Sequence, residues 1–181
     1  MFDEKKIIEL ISKNDRKAQK ELYQRFAAAF LGICIRYAND KSDAENILQD
    51  GFIKIFKNIK QCKKASSLTS WMKRTIVNTA ITHYRKNLKY KFNRNIDEIQ
   101  ENRFAEKKSD SDFTISELMG VIKKLPRGYR VVFNLYAIEG YKHKEIAKLL
   151  NIDISTSKSQ YSRAKKIIRE KLEILKKVPV F

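Results

Sequence analysis

Between residues 155 and 166 the chain places Ser155, Thr156, Lys158, Ser159, Gln160, Ser162, Arg163 and Lys166 at helical intervals. Hydroxyls and amides bond base edges, and guanidinium or ammonium groups bond either guanine edges or phosphates. A second set, Lys73, Arg74, Asn78, Thr82, Arg85, Lys86 and Lys89, mixes cations with amide and hydroxyl groups along another segment. That mixture suits contact with a nucleic-acid backbone and its base edges. Neither set pairs a nucleophile with a base. His83, His143, Cys34 and Cys62 stand at no metal-ligand spacing. The expected chemistry is therefore recognition: no catalytic residue, no metal, no cofactor, and a chain that is not an enzyme.

The charge balance agrees. Lys and Arg number 39 against 21 Asp and Glu, a formal net charge of +18. Such an excess calls for a polyanionic partner, nucleic acid or an anionic membrane surface. The bases gather beside the 155–166 set and near residues 83–94, which favours such a partner over charge that merely keeps the chain dispersed. No apolar run approaches a membrane span, and MFDEKKIIEL carries acids where a signal peptide carries bases. A cytoplasmic protein without stable membrane insertion is expected.

The elements that must position these groups are helices. Five Gly and two Pro are too few for an all-β chain with many turns. From Gly140 to Lys171 two helices meet at a tight turn. Ile146, Ala147, Leu149 and Leu150 make the first one amphipathic, Asn151 suits a left-handed C-cap, and Asp153 suits the next N-cap. Ile154, Tyr161, Ala164, Ile168, Leu172 and Leu175 recur as an inward stripe. This is a helix-turn-helix whose second helix offers its polar side to a major groove. Upstream, Leu118, Val121, Ile122 and Leu125 form a helix ended by Pro126, and Val131, Val132, Leu135 and Tyr136 form one ended near Gly140.

The first half predicts four more helices. Residues 3–13 carry Ile7, Ile8 and Ile11 inward, and residues 15–38 carry Leu22, Phe26, Phe30, Ile33 and Tyr37. A third helix, capped by Ser42 or Asp43, runs to about Ile59 with Ile47, Phe52, Ile55 and Phe56 inward. A fourth runs from about Leu68 to Lys89, with Trp71, Ile76, Ala80 and Ile81 toward the bundle. Residues 91–112 are charged and aperiodic and form a linker between a domain at 1–90 and one at 113–181. Beside the nucleic-acid-recognition reading stand two rivals: a stand-alone regulator that dimerises on a palindromic operator, and a nucleic-acid enzyme such as a nuclease.

Two separate stretches narrow the choice. LPRGYRVVFNLYAIEGYKHKEIAKLLNIDISTSKSQYSRAKKIIREKL resembles region four of bacterial RNA polymerase sigma factors. DAENILQDGFIKIFKNI and SSLTSWMKRTIVNTAITHYRK resemble region two. Both, in this order with a short linker, resemble the extracytoplasmic-function (ECF) group. The resemblance implies an all-α fold of two small helical domains. Region two would bind core RNA polymerase and the minus-ten element, and region four the minus-thirty-five element. It assigns Asp43, Gln49, Asp50 and Phe52 to the polymerase contact, and Ser66, Ser67, Trp71, Arg74, Asn78, Thr82 and Arg85 to the minus-ten strand. The loop Lys60–Ser67 would hold a flipped base. Thr156, Lys158, Ser159, Gln160, Ser162, Arg163 and Lys166 fall to the minus-thirty-five duplex. Gln160 departs from the family's usual basic residue, and Ser157 from an aliphatic one on the inward stripe. The implied partners are core RNA polymerase and promoter DNA. The resemblance adds an anti-sigma protein as a partner class, with nothing in the sequence to identify one.

Overall fold

A computed structural model describes residues 3–62, 67–92 and 115–176. All regular elements among them are helical, and the chain divides into two compact units, Met1–Ile96 and Asp97–Phe181. The all-α fold of two small helical domains is as expected.

In the first unit α1 (Glu4–Ser12) starts at Asp3, whose carboxylate accepts the backbone N–H of Lys5 and Lys6. Ile7 and Ile11 are buried and Ile8 is half-buried. Asn14, at φ +62°, turns the chain into α2 (Arg16–Tyr37), which Asp15 caps. Helix α3 (Lys41–Asn58) is capped by Asp40, not by Ser42 or Asp43 as expected: the Asp40 carboxylate accepts the Asp43 N–H at 2.8 Å. Asp43 lies one turn inside and reaches back, its Oδ2 accepting both the backbone N–H (3.0 Å) and the side-chain amide (3.2 Å) of Asn39. A 3-10 turn, Ile59–Gln61, follows. Helix α4 (Leu68–Phe92) buries Leu68, Met72, Ile76, Val77, Ala80, Ile81 and Tyr84.

The core of this unit is aromatic around Phe52, whose ring centroid lies 4.7 Å from Tyr23, 6.0 Å from Phe30 and 5.7 Å from Phe56. Gly51 sits where α3 meets α4. A Cβ there would overlap Cδ1 of Ile76, and the Cα of Ile76 would be only 3.8 Å away. The glycine lets the two helices close on each other. Burial also pushes the Cys34 thiol up to about 12, so this cysteine is an inert packing residue.

In the second unit α5 (Ile115–Lys123) leads to α6 (Arg127–Phe133), which opens after Pro126 and ends in a π-helical turn, Asn134–Ile138. The sequence pattern did not suggest that widened turn. Gly140, at φ +78°, redirects the chain, as only a residue free of a Cβ does without strain. Helix α7 (His143–Leu150) begins with the Glu145 carboxylate accepting the Lys142 N–H at 2.8 Å. It ends at Asn151 in the left-handed conformation, φ 56° and ψ 52°. After two intervening residues, Ile152 and Asp153, comes α8 (Ile154–Lys176), with the Asp153 carbonyl accepting the Ser157 N–H.

Ala164 and Ile168 of α8 pack with Val121, Ile122 and Leu125. Arg130, 2% exposed, donates from Nη1 to the Lys123 carbonyl at 2.9 Å and so ties α6 to the end of α5. One member of the expected stripe fails: Ile154 is 43% exposed, because the first residue of α8 precedes the packed region. The side chain of Leu175 lies outside the described set. Of the expected linker, Lys91 and Phe92 complete α4, and 93–112 lie outside the described residues.

Candidate polymerase and nucleic-acid interfaces

Three surfaces carry the candidate residues. The first is the exposed side of α3, where Glu45, Asn46, Gln49 and Asp50 face outward. Ile53, one turn on, is 62% exposed, an apolar side chain within an otherwise polar face. Phe52 is 2% exposed, packed among Tyr23, Phe30 and Phe56. Asp43 is also turned inward, its side chain 16% exposed against 53% for Asp50. Of the four residues assigned to a polymerase contact, Gln49 and Asp50 are presented at the surface.

The second surface is a groove of about 300 Å³ between α3 and α4. Trp71, Arg74, Asn78 and Thr82 line it from α4, as their spacing of three and four residues predicts. Trp71 is half-buried, a wall of the groove more than a core anchor. Thr75, Thr79 and Thr82 donate their hydroxyl hydrogens to the carbonyls four residues earlier, at 3.0, 2.9 and 2.9 Å. Their oxygens are left as acceptors. The Asn78 amide has no hydrogen-bond partner among the described residues and offers both a donor and an acceptor. Arg85 is exposed further along α4, Ser67 is half-buried before its first turn, and Ser66 lies outside the described residues.

Lys54, Asn58 and Gln61 complete the groove from α3 and the turn after it. Lys54 Nζ lies 3.3 Å from Thr79 Oγ1, and the Gln61 amide donates to Asn58 Oδ1 at 3.2 Å. None of the three was singled out from sequence. Their signal was present: three polar residues at i, i+4 and i+7 running into the loop.

The third surface is α8. Lys158, Ser159, Ser162, Arg163 and Lys166 are exposed, and Thr156 is half-buried. Gln160 is half-buried too, its amide against Gly128, with 3.5 Å between Nε2 and the place a Cβ would take. It is turned toward α6 more than toward a groove. Arg163 Nη1 donates to the Tyr129 hydroxyl at 3.3 Å. Behind this face Ser157, fully buried, bonds the ring of His143 at 2.9 Å instead of its own helix backbone. The His143 ring also stacks on Tyr136 at 4.3 Å. Burial, and then the Lys158 charge, hold the His143 pKa below its ordinary 6.5.

A basic chain thus carries a helix-turn-helix with a cationic outer face, and a separate bundle with a polar, amide-lined groove. Family models agree. "Sigma-70 region 2" matches residues 22–89 and "Sigma-70, region 4" matches residues 115–168. The ECF RNA polymerase sigma-E factor of Haemophilus influenzae is 23% identical over 180 residues, covering 93% of this chain and 95% of the relative. The sigma-E factor of Escherichia coli K12 is 24% identical over 180 residues, with 93% and 94% covered. The RNA polymerase sigma-H factor of Pseudomonas aeruginosa is 21% identical over 186 residues, with 95% of both covered. Among solved structures, the sigma factor RpoE of Bartonella quintana, crystallised with the anti-sigma factor NepR, has the same fold. Its TM-score is 0.56 at 19% identity, covering 86% of this chain and 96% of that one. The chain belongs to the sigma-70 family, in the ECF group of RNA polymerase sigma factors, and its function is promoter-directed initiation of transcription with core RNA polymerase. Sigma factors are regulatory initiation factors. No helix among the described residues is long and apolar enough to cross a membrane.

Proposed function

We propose that the three surfaces divide the work of initiation. The exposed side of α3, with Gln49, Asp50 and Ile53, docks on core polymerase. The groove between α3 and α4 captures an unpaired non-template strand at the minus-ten element, with Asn78 reading a base edge and Arg74 and Lys54 on the phosphates. The outer face of α8 lies in the major groove of the minus-thirty-five duplex, with Lys158, Ser159, Ser162, Arg163 and Lys166 toward the DNA. Residues 1–90 and 113–181 serve as the two binding domains and 91–112 as the tether between them. The protein acts in the cytoplasm, where its polymerase and DNA are. The Bartonella quintana complex favours an anti-sigma protein as a further partner.

One observation carries the minus-ten assignment. Trp71, Arg74, Asn78 and Thr82 line a single groove with three further polar residues from α3 and its turn. A packed core has no use for that arrangement, and a single-stranded ligand does: a flat aromatic wall, cations and the unpartnered Asn78 amide. Site-specific photo-cross-linking from modified bases within an open promoter complex tests the assignment. Cross-links from the minus-ten strand should fall within 54–82, and those from the upstream element within 156–166. Cross-links from the minus-ten strand to α8, or none to α4, would overturn it.

A further inference from the structure

His83 is not among the residues that line the groove its helix shares with α3. It lies on α4, and its Nε2 is 2.8 Å from Oδ2 of Asp50 on α3. Its other ring nitrogen, Nδ1, faces Oδ1 of Asp43 at 4.0 Å, outside hydrogen-bond range. Asp43 is itself fixed by the backbone and side-chain amides of Asn39. Asp43 and Asp50 are seven residues apart, two helical turns, so one imidazole from the neighbouring helix spans the gap between them.

We infer that His83 is a positioning residue for polymerase binding: its Nε2–H holds the Asp50 carboxylate in the orientation in which it meets the polymerase. This rests on the reading that Asp50 is a polymerase contact. An exposed carboxylate on a helix otherwise samples several rotamers, and a partner that selects one must freeze it. Here Oδ2 is already engaged, Oδ1 remains for the partner, and half of the side chain faces solvent. The hydrogen bond needs only a proton on Nε2, which both the neutral Nε2–H tautomer and the imidazolium supply. The link also runs from the helix that lines the strand-capture groove to the helix that docks on polymerase. Its two ends are an Asp50 side chain and the single histidine of α4.

Two geometric facts make the idea testable. A glutamine at this position brings its amide nitrogen to about where Nε2 stands. An asparagine brings its amide nitrogen to about where Nδ1 stands, toward Asp43 and short of Asp50. His83→Gln should therefore keep the function, and His83→Asn should lose it.

The experiment measures the affinity of the full-length chain for core RNA polymerase in a double-mutant cycle of His83→Ala and Asp50→Ala, with His83→Gln and His83→Asn beside it. Thermal melting of each variant confirms that it is folded. The expected result is about a threefold to tenfold loss for His83→Ala, a similar loss for His83→Asn and near-parental affinity for His83→Gln. In the Asp50→Ala background, His83→Ala should have no further effect. If Asp50→Ala itself leaves affinity unchanged, Asp50 is not a contact, and the inference falls with that reading. If Asp50→Ala weakens binding but His83→Ala does not, or weakens it equally in both backgrounds, the contact stands and the positioning role is wrong. Equal losses for the Gln and Asn variants would also overturn it.

Discussion

Nδ1 of His143, at the start of α7, lies 2.9 Å from Oγ of Ser157, a fully buried hydroxyl on the inward side of α8. The bond joins the two helices of the helix-turn-helix behind the face proposed to meet DNA. It also explains why a polar residue is tolerated where the family resemblance implied an aliphatic one. The His143 pKa is depressed in the fold, so the folded state prefers the neutral ring. The stability this supplies is complete above the unfolded value of 6.5 and is lost as pH falls below it toward the folded value. Urea unfolding followed by far-UV circular dichroism should show the loss on the acid side of neutrality, and His143→Gln should reduce it. The single tryptophan, Trp71, sits in the first unit, and its fluorescence should report a transition that this substitution leaves unchanged. A pH dependence identical in the two proteins would remove His143 from this role.

Gly51→Ala would raise intrinsic helix propensity by about 1 kcal/mol, yet it should destabilise the first unit. The new methyl meets Ile76, which has no exposed surface to yield into. Overpacking of this kind costs about 1–3 kcal/mol. Pairing it with Ile76→Val, which removes the atom in the way, should recover part of the loss. A Gly51→Ala protein as stable as the parent in urea would mean that α3 and α4 have more room than their packing indicates.

Asn78→Ala should impair promoter opening more than promoter binding. Its amide faces the groove with no partner among the described residues, so its removal leaves the fold intact. Permanganate footprinting of unpaired thymines, run beside a binding assay, separates the steps. Normal thymine reactivity in the variant would count against Asn78 as a strand-reading residue.

Arg163→Ala should change the ranking of minus-thirty-five variants, and Lys166→Ala should lower all of them alike. Losing a base contact costs about 1–3 kcal/mol at one position, whereas losing a phosphate contact reduces the salt slope by about one unit. Arg163 is steadied by the Tyr129 hydroxyl, and among the described residues Lys166 has only an exposed Glu170 at 3.9 Å. Transcription from a library of upstream elements measures both. A uniform decrease for both variants would leave the reading to another side chain.

The helices were legible because their apolar residues repeat at the helical period, and Asn151 marks the end of α7 by its tolerance of the left-handed conformation. The outward residues of α4 and α8 were legible for the same reason, since a helix with one packed side presents the other. What was hidden depends on contacts between distant segments. The His83 link to Asp50 joins two helices, the bond from Ser157 to His143 crosses a turn, and Lys54, Asn58 and Gln61 become groove walls only once α3 lies beside α4. Phe52, assigned to the polymerase contact, is buried among Tyr23, Phe30 and Phe56, two of which lie far from it in sequence. Ile154 was counted inward because a period says nothing of where packing begins.

The most direct measurement is reconstituted transcription: the purified chain added to core RNA polymerase on a library of genomic fragments, with the 5′ ends of all transcripts mapped. The account predicts transcripts that require the chain. Their start sites should be preceded by two sequence elements at fixed spacing, with mutation of the downstream element suppressed or reshaped by Asn78→Ala and mutation of the upstream one by Arg163→Ala. Transcripts that are the same with and without the chain, or a chain that binds DNA as a dimer and never associates with polymerase, would contradict it.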